Sequence, residues 1–248
     1  MSTEAPWPEG YGRIVLDRVD STNAEAARIA PELDLPTWIM ARGQTAARGR
    51  RGRDWKMPAG NFAASLVMRP GGVAGWAALR SFLAANALYE TLSLYVDRTR
   101  LALKWPNDVL LDEGKVAGIL LESAGTGGQV DWLAIGIGVN LAAAPHLPGT
   151  TPPPVSLAEA TGQRVAPEDF LVRLADFYAT EESILDRLGF VPIRESWLKR
   201  AARLGEVITA RTGNETVTGR FVTVDEGGHL VLETDRGRRS IAAADVYF

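Results

Sequence analysis

The sequence predicts an α+β fold, in which a mixed, largely antiparallel sheet is flanked by helices and followed by a small C-terminal β-domain. Three observations support this prediction. Strand patterns between residues 101 and 141 are joined by short turns, which favour hairpins over the helical crossovers of a parallel sheet. Amphipathic helical patterns follow between residues 167 and 203. Beyond residue 204, short strand patterns alternate with glycine-rich turns.

The first part of the chain mixes strand and helix patterns. Strands are predicted at residues 14–19, 38–42 and 62–68. A helix is predicted at residues 24–30, where Thr22 and Glu25 have the spacing of a capping box. A long helix is predicted at residues 76–95, because apolar residues recur on one face of that span.

The middle of the chain predicts hairpins and then helices. Strands are predicted at residues 101–105, 109–111, 115–122 and 130–141. Pro106, Asn107 and Asp108 form a turn between the first two strands, and residues 145–154 are a proline-rich loop. Helices with proline at or near their starts are predicted at residues 167–188 and 192–203.

The last 45 residues predict a separate small domain. Four short strands are predicted at residues 207–210, 217–223, 230–233 and 239–242. Short strands joined by glycine-rich turns in a segment of this length are typical of a small barrel of the SH3-like type. We therefore predict two domains, residues 1–203 and residues 204–248.

The composition excludes several classes of chemistry. The chain has 248 residues, a formal net charge of −3, two histidines and no cysteine. Without cysteine there are no disulfides, zinc–thiolate sites or thiol nucleophiles, and two isolated histidines do not suggest a metal site or a triad. The N-terminal segment lacks the order of a signal peptide, and no apolar run reaches the roughly 18 residues of a membrane helix. We expect a soluble cytoplasmic protein that does not bind a membrane.

The most informative stretch is the arginine loop, residues 48–53, which carries four arginines and two glycines and is followed by Asp54 and Trp55. Glycines let backbone N–H groups approach a ligand, while guanidinium groups bind phosphate or carboxylate. Trp55 offers a flat ring face for another ring. A solvated basic loop or a nucleic-acid-binding patch would have the same local composition, so this stretch alone leaves those readings open.

Four separated motifs, read together, resemble those of the biotin protein ligases. In chain order they are Asp20-Ser-Thr-Asn23; Gln44 with residues 48–55; Lys104-Trp-Pro-Asn-Asp108 with Lys115-Val-Ala-Gly-Ile-Leu120; and Gly136-Ile-Gly-Val-Asn140. The resemblance covers residues 13–248 and includes that family's small C-terminal barrel. Ala47 departs from the pattern, because the family usually has glycine before the first arginine of the loop.

The resemblance implies a binding site for biotin. In that family the residues equivalent to Ser21, Thr22 and Asn23 hydrogen-bond the ureido ring, and Gln44 and the backbone of Arg48, Gly49 and Arg50 complete the pocket. On sequence alone, helix capping is the favoured interpretation of the first three residues, and it is compatible with biotin binding because a helix N-terminus is also a site for polar ligands. Gly118 would allow close backbone approach to biotin, although it could instead mark a strand bulge.

The resemblance also implies the catalytic residues. Lys115 would bind the biotin carboxylate and the α-phosphate, where a fixed ammonium stabilises the charge of the transition state. Asp108 would orient or deprotonate the acceptor lysine. Arg50 completes the predicted catalytic set. A solvent-facing lysine at the start of a strand and an aspartate in an ordinary turn are the structural alternatives.

The remaining predicted residues bind ATP. By resemblance, Arg48, Arg51, Arg53 and Lys104 hold the phosphates, Asn107 recognises adenine, and Trp55 stacks on the adenine ring. A tryptophan is more often a core residue, and that alternative stays open. Asn140 is predicted either as a ligand-side polar group or as part of a structural turn.

The reaction implied has two steps, in which biotin and Mg²⁺-bound ATP form biotinyl-5′-AMP and an acceptor lysine then takes the biotinyl group. The expected partner is the biotin carboxyl carrier domain of acetyl-CoA carboxylase or a related carboxylase, and the sequence leaves a homodimer open. A lipoate-type ligase of the same fold is the alternative. A DNA-binding regulator is a weaker one, since the ligand motif begins at Asp20 and leaves no room before it for a DNA-binding module. We expect no nucleic-acid partner.

Overall fold

The structure, a computed structural model, describes residues 6–248. The first five residues, which belong to the N-terminal segment and to the predicted first domain, lie outside the described residues. Among the described residues, no helix is long and apolar enough to cross a bilayer. The secondary structure comprises two sheets and six α-helices within the described range.

The large sheet has seven strands: β1 (Gly12–Leu16), β2 (Thr37–Ala41), β3 (Phe62–Met68), β4 (Leu101–Lys104), β5 (Asp108–Leu111), β6 (Gly114–Ala124) and β7 (Trp132–Val139). They lie in the order β1-β2-β3-β7-β6-β5-β4. Strands β1 and β2 pair in parallel, and the five other neighbouring pairs are antiparallel. The prediction of a mixed, largely antiparallel sheet is confirmed.

The helices are α1 (Thr22–Ile29), α2 (Ala74–Ala78), α3 (Arg80–Leu92), α4 (Leu157–Thr161), α5 (Pro167–Leu188) and α6 (Phe190–Leu198). Helices α3, α5 and α6 pack against one another on one face of the sheet, and α1 packs on strands β2, β3 and β7. The fold class predicted from the sequence, a sheet flanked by helices, is confirmed.

Alternation along the central strands divides their side chains between two environments. On β7, Ile135, Ile137 and Val139 join the main core beneath the helices, whereas Ala134 joins the smaller core under α1. Since successive strand residues point to opposite faces, Gly136 and Gly138 lie on the α1 side. That side of the sheet therefore carries a patch without side chains, next to the N-terminus of α1.

The predicted helix over residues 76–95 is wrong in its length and continuity. Two helices, α2 and α3, meet at Leu79, whose N–H bonds to the carbonyls of Trp76 and Ala77 instead of continuing a regular helical ladder. Leu79 is buried, whereas Trp76 is 40% exposed, so the apolar face changes direction at this break. Arg80, the buried first residue of α3, pairs with Glu182 of α5.

The predicted capping box at Thr22 and Glu25 is also wrong. The N-cap of α1 is Ser21, and it makes no side-chain capping hydrogen bond. Glu25 pairs with Arg28 instead, and the Thr22 side chain points into a buried polar network. A side-chain N-cap does occur at α4, where Ser156 Oγ accepts from the N–H of Glu159 and donates to its carboxylate. Helix α4 was not predicted.

The C-terminal domain is a five-stranded antiparallel sheet. Its strands are β8 (Val207–Arg211), β9 (Thr216–Val224), β10 (Leu230–Thr234), β11 (Gly237–Ile241) and β12 (Asp245–Tyr247). Their order is β11-β10-β9-β8-β12. Four of these strands were predicted, and the short edge strand β12 was not. Trp105 donates its indole N–H to the carbonyl of Gly228, which joins this sheet to the large one.

Candidate active site

A cavity of about 250 Å³ opens on the α1 side of the large sheet. Its walls come from the N-terminus of α1, the arginine loop, the proline-rich stretch before α4, and β12 of the C-terminal sheet. The structure brings together at this cavity fifteen of the sixteen predicted site residues: Ser21, Thr22, Asn23, Gln44, Arg48, Gly49, Arg50, Arg53, Trp55, Lys104, Asn107, Asp108, Lys115, Gly118 and Asn140.

A buried polar network lies at the α1 end of the cavity. Gln44 Oε1 accepts hydrogen bonds from the Thr22 backbone N–H at 2.8 Å and from Thr22 Oγ1 at 3.3 Å. Ser65 Oγ, which is fully buried on β3, lies 2.8 Å from Thr22 Oγ1 and 2.6 Å from Asn23 Oδ1. These contacts fix the orientation of Thr22 and Asn23, the two predicted site residues of α1.

The network continues to the arginine loop through Glu122. Asn23 Nδ2 donates to Glu122 Oε2 at 2.7 Å, and Arg48 Nη2 lies 3.4 Å from Glu122 Oε1. Sequence reasoning missed both Ser65 and Glu122. Ser65 is the only polar residue of β3, a strand that is otherwise apolar and buried. Because a buried hydroxyl needs a hydrogen-bond partner, a single serine in such a strand could have indicated Ser65 from the sequence.

The floor of the cavity includes glycines on two neighbouring strands, Gly118 on β6 and Gly136 and Gly138 on β7. Gly138 pairs with Ala63 on β3 and with Gly118 on β6. Trp55 lies against this floor: a Cβ atom built on Gly138 would come within 2.6 Å of its indole ring, and one on Gly118 within 3.2 Å. Glycines at these positions are required by the close approach of the ring.

Lys115 and Asp108 form an ion pair beside this floor. Lys115 Nζ lies 2.6 Å from Asp108 Oδ1 and 5.5 Å from the centroid of the Trp55 ring. Asn140 is buried, and its Nδ2 donates to the carbonyls of Lys115 at 3.4 Å and Val155 at 3.1 Å. The hydrogen bonds of Asn140 therefore go to the protein, and it fixes the main chain at Lys115.

Lys104 and Arg50 are cations in partly buried positions. Burial lowers the pKa of Lys104 below its ordinary value, although the neighbouring carboxylates of Asp108 and Asp245 oppose that shift. Burial likewise lowers the pKa of the Arg50 guanidinium, which nevertheless stays protonated. Lys104 Nζ also lies 5.5 Å from the ring centroid of Phe248, in the C-terminal domain.

Asn107 lies between the arginine loop and β6. Its Nδ2 donates to the carbonyl of Ile119 at 2.7 Å, and its Oδ1 accepts from Arg50 Nη1 at 3.4 Å. The main chain of Asn107 also accepts from the N–H of Ile119. The turn that carries Asn107 and Asp108 is thus fastened to β6, next to Lys115.

The arginine loop folds back on itself and reaches the C-terminal domain. Gly49 donates its N–H to the carbonyl of Arg53, and Trp55 donates to the carbonyl of Ala47, which has no left-handed backbone and needs no glycine. Arg51, in contrast, has a left-handed backbone with φ 58°. Among the described residues, it is the one predicted site residue that does not line the cavity.

The charges of the lining suit an anionic ligand. Six cationic side chains line the cavity against three carboxylates: Arg48, Arg50, Arg53, Lys56, Lys104 and Lys115, with Asp54, Asp108 and Asp245. Within residues 6–248 there is no group of three or more His, Cys, Asp or Glu side chains that could hold a metal ion. Such a site can stabilise charge that develops on phosphate or carboxylate oxygens, by fixed hydrogen-bond donors and cations.

In comparisons with known proteins, family models match two separate parts of the chain. Residues 15–140 match the family described as the biotin/lipoate A/B protein ligase family, and residues 204–248 match the biotin protein ligase C terminal domain. The biotin–[acetyl-CoA-carboxylase] ligase of Paracoccus denitrificans is 56% identical over 239 residues, which cover 94% of this chain and 99% of that protein. The bifunctional ligase/repressor BirA of Bacillus subtilis is 31% identical over 246 residues, covering 96% and 74%.

Solved structures are similar over nearly the whole chain. The biotin protein ligase from Aquifex aeolicus in complex with biotin and ATP has a TM-score of 0.76 at 25% identity, and the match covers 95% of this chain and 97% of that one. The biotin protein ligase from Leishmania major in complex with biotinyl-5-AMP has a TM-score of 0.66 at 22% identity, covering 95% and 100%. At 22% identity, the similarity to the Leishmania major structure shows a shared fold and nothing more.

Proposed function

The chain belongs to the biotin/lipoate A/B protein ligase family, and from that premise we propose how its cavity performs the reaction of a biotin protein ligase. In the first step, a carboxylate oxygen of biotin attacks the α-phosphorus of ATP and pyrophosphate leaves. In the second step, the amine of an acceptor lysine attacks the carbonyl carbon of biotinyl-5′-AMP, AMP leaves, and the nitrogen loses a proton. The observation that carries the proposal is the cation-lined cavity beside a buried hydrogen-bonding network.

The polar network is proposed as the biotin pocket. Ser21, Thr22, Asn23 and Gln44 supply donors and acceptors for the ureido ring at the α1 end. The backbone of Arg48, Gly49 and Arg50 closes that end of the pocket, and Gly118 forms part of its floor. We propose that the biotin carboxylate ends beside Lys115, which pairs with Asp108 in the empty cavity. Its ammonium would then be available to both the carboxylate and the α-phosphate.

The cationic side of the cavity is proposed as the ATP site. Arg48, Arg51, Arg53 and Lys104 would hold the phosphates, and Asn107 and Trp55 would contact adenine. Asn140 contributes by holding the main chain of Lys115, because its amide already bonds to the protein. Mg²⁺ would arrive on the phosphates of ATP, which suits an ion that keeps much of its shell in water and phosphate oxygens.

The division into domains is proposed at residues 203 and 204. Two separate sheets, and two family matches at residues 15–140 and 204–248, support a catalytic domain and a small C-terminal domain. The proposed acceptor is the biotin carboxyl carrier domain of acetyl-CoA carboxylase or a related carboxylase, in agreement with the name of the relative from Paracoccus denitrificans. A homodimer and a cytoplasmic location stay predictions.

The proposed reaction is tested by labelling a carrier domain. Incubated with ATP, Mg²⁺ and labelled biotin, the enzyme should attach one biotin to a purified biotin carboxyl carrier domain, and the label should withstand denaturation because an amide holds it. A carrier with its acceptor lysine replaced by arginine is the control and should stay unlabelled. No labelling of the native carrier, or equal labelling of both carriers, would contradict the proposal.

Replacing Arg50 by glycine is expected to release biotinyl-5′-AMP faster, by about 10- to 100-fold, because charge-assisted hydrogen bonds to the bound anion are lost. The Arg50 guanidinium also bonds to Asn107 Oδ1 and to the Ala244 carbonyl, both at 3.4 Å, so its loss frees the loop from two elements. Glycine further raises the entropy of the open loop. The measurement traps biotinyl-5′-AMP in the site and follows its release by filtration.

The control for this prediction is Arg50→Lys, which keeps the charge without the guanidinium fork and should fall between the wild type and Arg50→Gly. Single-turnover adenylation is measured on the same samples. An unchanged release rate together with lost adenylation would show that Arg50 acts in the chemical step and does not retain the intermediate.

A further inference from the structure

Asp245, on the edge strand β12 of the C-terminal domain, binds two arginines of the arginine loop. Arg51 Nη1 lies 2.9 Å from Asp245 Oδ2, and Arg53 Nη2 lies 2.9 Å from Asp245 Oδ1. The carboxylate is largely buried, with 20% of its side chain exposed, whereas the two arginines are 44% and 62% exposed. One carboxylate therefore connects two cations that are separated by one glycine.

The neighbouring residue extends this contact. The carbonyl of Ala244 accepts from Arg50 Nη1, so residues 244–245 hold three of the four arginines of the loop. The fourth, Arg48, pairs with Glu122 on the large sheet. The arginine loop is thus fastened on one side to β6 and on the other side to the C-terminal domain.

Two guanidinium groups around one carboxylate form the same arrangement that binds a phosphate group. The Asp245 carboxylate consequently pairs with the same guanidinium groups of Arg51 and Arg53 that would bind phosphate. Ion pairs that are half exposed to solvent are weak, so a polyanion can exchange with them. Arg51 lies outside the cavity lining while Asp245 holds it, and it can contribute to phosphate binding only after it leaves that carboxylate.

We propose that Asp245 is a positioning residue, which holds the arginine loop closed while the nucleotide site is empty and gives up Arg51 and Arg53 to the triphosphate of ATP. The proposal rests on the proposed function, since it assumes that ATP binds at this cavity. It assigns to the C-terminal domain a part in ordering the loop before nucleotide arrives. The contact then ends when the phosphates replace the carboxylate.

The test is tryptic cleavage of the loop, whose four arginines are trypsin sites, followed by mass spectrometry of peptides cut after residues 48–53. In the empty full-length enzyme, Asp245→Asn should be cut about fivefold faster than wild type, as expected when two half-exposed ion pairs are lost. In α,β-methylene ATP the bridge between the α- and β-phosphorus cannot be cleaved, so AMP cannot be transferred to biotin. With biotin and this analogue bound, the loop should be protected in both proteins, and wild type and variant should be cut at the same slow rate.

Three further variants and readouts keep the test decisive. Asp245→Glu keeps the carboxylate and should stay closer to wild type than Asp245→Asn. Glu215→Gln, which removes a carboxylate of the same domain paired with Arg239 at 2.7 Å, should leave loop cleavage unchanged. The thermal unfolding midpoint of each variant is measured without ligand, and faster cleavage confined to residues 48–53 with an unchanged midpoint distinguishes loop opening from global destabilisation.

Equal cleavage of the empty wild type and Asp245→Asn would overturn the holding role. Faster cleavage of the variant that persists with biotin and the ATP analogue, or no protection of the wild type by them, would overturn the exchange with phosphate. Biotin-dependent ATP–pyrophosphate exchange by the wild type is measured separately. If the wild type shows no such exchange, the proposed function is contradicted. If it shows exchange but the cleavage experiment gives either contradicting result, only the role of Asp245 is overturned.

Discussion

Replacing Asp108 by asparagine is expected to slow transfer of biotin to the acceptor lysine by about 10²–10⁴-fold, the usual contribution of a general base, and to leave adenylate formation nearly unchanged. Only the second step requires an ammonium to lose a proton. The substituted amide would keep the shape of the side chain and one oxygen toward Lys115, whose ammonium lies 2.6 Å from Asp108 Oδ1. Single-turnover rates of the two half-reactions, measured separately, check the prediction.

A matched control is Asp112→Asn. Asp112 lies four residues further along, in an exposed turn where it pairs with Arg100, outside the cavity lining. Its replacement should change neither half-reaction. If Asp108→Asn instead lowered both half-reactions equally, Asp108 would be acting through the position of Lys115 and not as a base.

Elements whose signals are local were predicted well from the sequence. Strand β3 has the predicted bounds, because a run of seven apolar or small residues is flanked by Gly60-Asn61 and by Arg69-Pro70. Helix α5 also has the predicted bounds, since proline occupies its first turn and Gly189, with φ 75°, ends it. In both cases the residues at the ends of the element determine where it ends.

Features that depend on distant contacts were not predictable in the same way. The break at Leu79 lies next to the buried pair of Arg80 and Glu182, which are 102 residues apart in the chain. Asp245 lies beyond the last predicted strand, and its partners are about 190 residues away. Nothing near residue 245 in the sequence indicates that two arginines of another domain bind there.

The candidate site was partly predictable from the sequence. The alternation of glycine with large apolar residues in Gly136-Ile137-Gly138-Val139 is visible in the sequence and predicts a strand with one face free of side chains. Which ligand or ring covers that face depends on the neighbouring strands and on Trp55. The motifs therefore indicated the residues, while Ser65, Glu122 and Asp245 became apparent only from their contacts.

The enzyme is expected to activate biotin and to reject lipoate. The polar groups of Thr22, Gln44 and Ser65 bond to one another in the empty cavity, and a ureido ring can add hydrogen bonds to them. A dithiolane ring would cover these polar groups without adding any hydrogen bond. A site built to hydrogen-bond its substrate rejects an analogue that lacks the polar groups by about 10⁴–10⁵-fold. This discrimination is the largest effect expected here, and it concerns the first step of the reaction alone.

Exchange of labelled pyrophosphate into ATP measures that step without any acceptor protein. The assay is run with the full chain, ATP and Mg²⁺, with biotin, lipoate and octanoate in separate reactions and a reaction without acid as the blank. We predict exchange above the blank with biotin and none with lipoate or octanoate. Exchange driven equally by lipoate, or no exchange with biotin, would contradict the assignment of the buried polar network as a biotin pocket.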